Sequence, residues 1–166
     1  MKVYFSHGKE SGPWGTKIKR LAPVAEDFGY QIESVDYTDT MDPEQRASRL
    51  TALLAEAPDE VVLVGSSMGG YVSVVAASEH WVKGIFLMAP ALYIPGWQQQ
   101  DYHPRCGRLE IVHGWSDSVI PPEHSLRFAR NIDCSLHLIS GDHALNHSLD
   151  EIDALFRRFL ESMRSG

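Results

Sequence analysis

The chain has 166 residues, of which 43% are apolar and 22% charged, and its formal net charge is −7. This length suits one domain with a full hydrophobic core, so we predict that residues 1–166 form a single domain. The negative charge argues against a nucleic-acid partner, and the locally basic stretch Lys17-Ile18-Lys19-Arg20 is expected to be a solvated helix face.

The apolar runs are too short for a membrane span, which needs about 20 apolar residues. The first residues enter a strand-like run directly and show neither the apolar region nor the cleavage site of a signal peptide. We therefore predict a cytoplasmic protein. Cys106 and Cys134 lack the spacing of metal ligands, and we expect both to be free thiols in a reducing compartment.

Strand-like and helix-like segments alternate along most of the chain. Short apolar runs predict six strands, at residues 2–6, 31–37, 61–64, 83–88, 109–112 and 135–139. Apolar residues at helical spacing predict helices at residues 18–28, 43–57, 68–80, 121–131 and 149–163. Pro23 is expected to kink the first helix or to make it restart. The alternation predicts an α/β fold, a three-layer α/β/α sandwich around a parallel sheet of about six strands.

Residues 91–108 interrupt this alternation. They contain Pro95-Gly96, three consecutive glutamines and His103-Pro104, and they show no clear period. We expect a connecting excursion there rather than a helix or strand.

The third predicted strand runs directly into Gly65-Ser66-Ser67-Met68-Gly69, a Gly-x-Ser-x-Gly motif that opens a helix. This order is typical of a nucleophile elbow, a sharp turn that holds a serine in a strained conformation above the sheet. Gly65 and Gly69 are needed because strand and helix pass too close for side chains. Ser67 is therefore the predicted nucleophile, since Ser66 lacks glycines at the required offsets.

Reactive side chains follow three other predicted strands. In an open parallel sheet, the residues just beyond the carboxyl ends of the strands line the site. These segments are His7-Gly8-Lys9, His113-Gly114-Trp115-Ser116-Asp117 and Gly141-Asp142-His143. A serine nucleophile needs an imidazole to accept its proton and a carboxylate to orient that imidazole.

We predict that His143 is the general base and Asp117 the carboxylate that orients it. Asp142 competes with Asp117, but a carboxylate adjacent to His143 in sequence would have to bend back to reach the ring. The backbone N–H groups of Lys9 and Met68 are the predicted oxyanion hole. The competing histidines, for which we expect structural roles, are His7, His113 and His147.

Together these motifs resemble the α/β-hydrolase superfamily over almost the whole chain. The short chain and the Gly-Ser-Ser-x-Gly-Gly elbow are similar to those of small bacterial esterases of the YqiA type. The resemblance implies a reduced α/β-hydrolase fold and a Ser-Asp-His hydrolase that acts through an acyl-enzyme. The sequence departs from the family pattern in lacking the antiparallel hairpin before the first strand and in reducing the lid to residues 91–108.

We therefore predict a carboxylesterase or thioesterase that acts on a small acyl substrate without a cofactor. The histidines and carboxylates lack ligand spacing, so no metal site is predicted. The alternatives are a binding protein that keeps the fold with weak catalysis, and a serine hydrolase of another type, such as a peptidase or C–C hydrolase. The sequence leaves open whether two copies of the chain form a homodimer. The aromatic residues predicted to contact substrate are Trp14, Tyr93, Trp97 and Trp115.

Overall fold

A sheet of six parallel strands lies between two layers of helices in the computed structural model, which describes residues 1–164. The strand order is β2-β1-β3-β4-β5-β6. The strands are β1 (Lys2–Ser6), β2 (Gln31–Val35), β3 (Val61–Ser66), β4 (Val82–Met88), β5 (Cys106–Gly114) and β6 (Ser135–Ile139). The helices are α1 (Thr16–Asp27), α2 (Pro43–Ala55), α3 (Met68–Glu79), α4 (Pro122–Ile132) and α5 (Leu149–Arg164). The predicted three-layer α/β/α architecture is confirmed.

The central strand β3 is buried on both faces, and its side chains alternate between two hydrophobic cores. Val62 and Val64 pack in the core that contains α1 and α5. Val61 and Leu63 pack in the core that contains α2, α3 and α4. Because successive side chains of a strand point to opposite faces, this apolar run is what a sheet with helices on both sides requires.

Helix α1 continues through Pro23. The sequence predicted a kink or a restart at this residue, and the helix does not restart. Proline cannot donate a hydrogen bond to the carbonyl of Lys19, four residues earlier. Both residues are exposed, so water can satisfy that carbonyl. Leu21 and Ala25 on the other side of the helix are fully buried and hold it against the sheet.

Strand β5 begins at Cys106, inside the segment predicted to be an irregular excursion. Cys106 pairs with Val82 and Arg108 with Gly84, so the early residues of β5 satisfy the backbone of β4. Cys106 is half-buried and Gly107 and Arg108 are exposed, so the start of β5 lacks the apolar run that indicates a strand. None of the helices within residues 1–164 is long and apolar enough to cross a lipid bilayer.

Candidate active site

Ser67 lies at a sharp turn between β3 and α3, with φ 54° and ψ −118°. A positive φ is uncommon for residues other than glycine and persists only where the surrounding structure enforces it. A Cβ on Gly69 would overlap the carbonyl oxygen of Ser6, and one on Gly65 would overlap the backbone of Gly69. The close approach predicted from the glycines is therefore present, and the turn directs Ser67 away from the sheet.

The structure brings Ser67, Asp117 and His143 together from three different loops. His143 Nε2 lies 3.0 Å from Ser67 Oγ, and His143 Nδ1 lies 2.8 Å from Asp117 Oδ2. A carboxylate only accepts hydrogen bonds, so Nδ1–H of His143 donates to Asp117 and leaves Nε2 free to accept the serine proton. This is the arrangement that a serine nucleophile requires.

The carboxylate of Asp117 is fully buried and held at both oxygens. Its Oδ1 accepts hydrogen bonds from the backbone N–H groups of Val119, at 2.9 Å, and Ile120, at 2.8 Å. Burial by itself would raise the pKa of Asp117, but the hydrogen bonds from His143 and these N–H groups outweigh it, and the net pKa lies below the usual value. Asp117 is therefore anionic at neutral pH.

Asp142 occupies a different position. It is exposed, and its Oδ1 accepts a hydrogen bond from the N–H of Leu145 at 3.0 Å. Its carboxylate thus shapes the loop that carries His143, while Asp117 reaches the ring from the loop after β5.

His113 lies fully buried behind Asp117. Its Nε2 is 2.9 Å from the carbonyl oxygen of Ile120 and 3.1 Å from Asp117 Oδ2, and its Nδ1 is 2.7 Å from Ser125 Oγ. Burial lowers the pKa of His113, which favours the neutral ring. The sequence predicted a loop-holding role for His113, but its contact with Asp117 was not foreseen, because nothing in the pattern indicates which way the ring points.

His7 is likewise buried and bonded to the backbone. Its Nδ1–H donates to the carbonyl of Gly8 at 2.7 Å, and its Nε2 accepts from the N–H of Tyr37 at 3.0 Å. Burial lowers the pKa of His7 as well. His147 is exposed. His143 is thus the histidine that the structure brings to Ser67.

The loop after β1 lies beside the elbow, as expected for an oxyanion loop. A Cβ on Gly8 would lie 3.5 Å from the Cβ of Ser67, so the backbone approaches the serine closely at this position. Met68 is the first residue of α3, and the N–H groups of a first helical turn have no partner within the helix. Lys9 and Met68 both line the cleft in front of Ser67.

That cleft has a volume of about 490 Å³ and is bordered by Ser67 and His143. Apolar side chains from the segment after β4 and from the loop after β5 form much of its wall, together with three charged residues near β1 and α1. The apolar residues are Ala91, Ile94, Trp97, Val119 and Ile120, and the charged ones are Lys9, Glu10 and Lys17.

Of the four aromatic residues predicted to contact substrate, Trp97 lines the cleft. Tyr93 instead packs in the core against Tyr102, with ring centroids 5.2 Å apart, and its backbone φ is 58°. Trp14 and Trp115 are 48% and 61% exposed on surface loops. Within the described residues, these three side chains do not line the cleft in front of Ser67.

The hydroxyl groups of two tyrosines hold the segment between β4 and β5, which borders the cleft, in place. Tyr102 accepts a hydrogen bond from the N–H of Tyr93 at 3.0 Å and donates to the carbonyl of Gln99 at 2.9 Å. Tyr71 of α3 accepts from the N–H of Gln99 at 3.0 Å, and its ring packs against Trp97. The wall of the cleft at Trp97 is therefore attached to the helix that follows the nucleophile.

Lys17 was predicted to lie on a solvated helix face, but it lines the cleft. Its Nζ donates to the carbonyl oxygen of Ala144 at 2.9 Å, next to His143 in the chain. Burial lowers the pKa of the Lys17 ammonium. Lys17 thus braces the loop that carries His143.

The two cysteines lie away from this site, near the amino ends of β5 and β6. Burial raises the pKa of both Cys106 and Cys134 to about 11, so both thiols are protonated at neutral pH.

Residues 1–105 match the model of the uncharacterised protein family UPF0227, which is more than half of the chain. The chain belongs to this family. No curated protein matches this UPF0227 member.

Among solved structures, this UPF0227 protein is similar to a Xanthomonas campestris pv. campestris protein assigned to the alpha/beta hydrolase superfamily. The two share 29% identity over 97% of this chain and 98% of the other, with a TM-score of 0.90. Est1E from Butyrivibrio proteoclasticus has 18% identity over 99% of this chain and 88% of its own, with a TM-score of 0.83.

Monoacylglycerol lipase from Paleococcus ferrophilus has 15% identity over 97% of this chain and 94% of its own, with a TM-score of 0.74. The likenesses identify the reduced α/β-hydrolase fold and support hydrolase as the general class of this UPF0227 protein.

Proposed function

We propose that this UPF0227 protein is a serine hydrolase that cleaves small carboxylic esters or thioesters through an acyl-enzyme. The observation that carries the proposal is the pair of hydrogen bonds that links Ser67 to His143, at 3.0 Å, and His143 to the buried carboxylate of Asp117, at 2.8 Å. Their position at the border of an apolar cleft supports a small organic substrate.

In the proposed reaction, Ser67 Oγ attacks the acyl carbon while His143 Nε2 takes the hydroxyl proton. The carbonyl π bond breaks, and its electron pair forms an oxyanion that accepts hydrogen bonds from the N–H groups of Lys9 and Met68. When the oxyanion collapses, the bond to the alcohol or thiol breaks, and His143 gives its proton to that leaving group. Water, deprotonated by His143, then attacks the acyl-enzyme, and the protonated ring returns the proton to Ser67 as the acid leaves.

Turnover of a neutral ester is expected to fall as the pH is lowered from about 8 to about 5, because an imidazole base that already carries a proton cannot accept the serine proton. The pKa of Asp117 lies below its ordinary value of 3.8, so this carboxylate remains ionised over the same interval and does not cause the decline. The measurement is kcat/KM against pH. A flat profile would speak against a histidine base.

A preference for short acyl chains is expected, because the segment between β4 and β5 that carries Ile94 and Trp97 is too short to roof a long apolar channel, and carbons far from Ser67 would stay in water. Each buried methylene contributes about 0.8 kcal/mol, so kcat/KM should rise several-fold per carbon only while the chain still enters the cleft. We expect kcat/KM to be higher for p-nitrophenyl butyrate than for the acetate. The octanoate and the palmitate should give no further increase in kcat/KM.

Trp97→Ala should move this preference toward longer chains by widening the cleft. Trp81→Ala is the matched control, because Trp81 is 53% exposed and lies just before β4, at the amino end of the sheet. A steady rise through octanoate to palmitate in the unmodified protein would contradict a short-chain esterase. Acyl-CoA thioesters tested in the same assay series show whether the protein cleaves esters, thioesters or both. Labelling by a fluorophosphonate without turnover of either would favour another serine hydrolase reaction.

A further inference from the structure

Arg46 of α2 is fully buried and contacts the loop after β1. Its Nη1 donates to the carbonyl of Gly8 and its Nη2 to the carbonyl of Lys9, both at 3.1 Å. Its Nε donates to the carbonyl of Thr40 at 2.8 Å, and the sulfur of Met41 lies 3.7 Å from Nη2. These partners are neutral, although a buried charge usually pairs with an opposite one. The contacts therefore indicate that this arginine holds backbone geometry.

The direction of the two carbonyls determines where the neighbouring N–H groups point. A peptide unit is planar, the described chain has no cis bond, and in a trans unit the C=O and N–H groups point in opposite directions. With the Gly8 carbonyl directed at Arg46 in the interior, the Lys9 N–H points the other way, where the loop lines the cleft beside Ser67.

We propose that Arg46 is a positioning residue of the oxyanion hole, which keeps the Lys9 N–H aimed at the developing oxyanion by holding the Gly8 and Lys9 carbonyls. This inference rests on the proposed function. Arg46 does not line the cleft and acts only through the loop.

Two neighbouring contacts support this role. His7 Nδ1–H donates to the same Gly8 carbonyl at 2.7 Å, so this oxygen accepts two hydrogen bonds, its full capacity. Ser11 Oγ accepts from the N–H of Gly8 at 3.1 Å. The peptide groups around Lys9 are therefore oriented before substrate arrives, and such preorganised donors stabilise a transition state without reorganisation.

The shape of the side chain explains why it is an arginine. The guanidinium is a rigid fork with five N–H donors, and here it reaches the loop after β1 and the loop after β2 at once. A lysine ammonium at the same position is a point charge that cannot hold the three carbonyls in this geometry. Arg46→Lys should consequently keep the charge and lose the alignment.

The test compares Arg46→Lys and Arg46→Met with Arg49→Met. Arg49 is the matched control, because it is also on α2 and also lies over the Tyr37 ring, yet it pairs with Asp39 at the surface. Steady-state kinetics on a short p-nitrophenyl ester gives kcat and KM separately. A trifluoromethyl ketone of matched chain length, whose adduct with Ser67 carries an oxyanion, reports the hole directly.

We expect both Arg46 variants to lose about 10- to 100-fold in kcat with little change in KM, since a misplacement of about 1 Å can cost 10²-fold in rate. Ketone affinity should fall by a similar factor, while Arg49→Met stays within about twofold of the unmodified protein. Thermal unfolding identifies the variants that fold. If Arg46→Met does not fold, the kinetics and ketone affinity of Arg46→Lys test the proposal.

The inference is overturned if a folded Arg46 variant keeps kcat and ketone affinity within about threefold, or if only KM changes. An unmodified protein that neither turns over esters nor reacts with fluorophosphonate would instead overturn the proposed function itself.

Discussion

Ser67→Ala is expected to abolish ester hydrolysis, with a loss in kcat on the order of 10⁵- to 10⁶-fold, and to abolish labelling by a fluorophosphonate. The Ser67 hydroxyl is the proposed attacking group, and its oxygen lies 3.0 Å from His143 Nε2. Alanine has no oxygen at this position. The fold should be retained, because alanine keeps the Cβ already accommodated at this positive φ. The measurements are p-nitrophenyl ester turnover, mass spectrometry of the labelled protein and thermal unfolding.

Ser66→Ala is the matched control for this change. Ser66 is the preceding residue and the end of β3, and it also borders the cleft. We expect this variant to keep labelling and most of its turnover. Labelling of Ser66 or of any other residue in Ser67→Ala would contradict the assignment of the nucleophile.

Asp117→Asn is expected to lower kcat by about 10³- to 10⁴-fold. The amide is nearly isosteric, and its oxygen can still accept from the N–H groups of Val119 and Ile120. Its NH₂ group then faces His143 Nδ1, which must become an acceptor, so the ring proton moves to Nε2. In that tautomer Nε2 cannot take the proton of Ser67. Burst-phase and steady-state kinetics at one pH measure the loss.

Asp142→Asn is the control at the competing carboxylate. Asp142 is exposed and contacts the N–H of Leu145, and the amide oxygen can accept that same hydrogen bond. We expect less than about a threefold change in kcat. If the two effects were reversed, the role of orienting His143 would pass from Asp117 to Asp142.

Much of the fold was predictable because its signals are local. The apolar run before Gly65, the small residues after Ser67 and the alternation of short strands with helices each depend on nearby residues, and together they require a parallel sheet. The strand bounds of β1 and β6 agree with the prediction to the residue. The start of β5 was missed, because Cys106-Gly107-Arg108 is not an apolar run, and its pairing with β4 is made by the backbone.

The candidate site was predictable to the extent that chemistry limits the choice. A serine in an elbow needs a histidine and a carboxylate, and parallel strands bring their carboxyl ends to one edge. That reasoning led to Ser67, Asp117 and His143, which the structure brings within hydrogen-bonding distance.

The order of the elements, the elbow and the loops that meet at the site therefore follow from local patterns in the sequence. The directions of individual side chains follow instead from the packing of elements that are distant in the chain. Arg46 is a buried arginine, Lys17 a cleft lysine and Tyr93 a core tyrosine. Each points toward a residue far away in the chain: Arg46 toward Gly8, Lys17 toward Ala144 and Tyr93 toward Arg127. Hydrophobic periodicity indicates which face of a helix or strand is buried. The partner of a long polar side chain depends instead on how distant elements pack against each other, and periodicity carries no information about that packing.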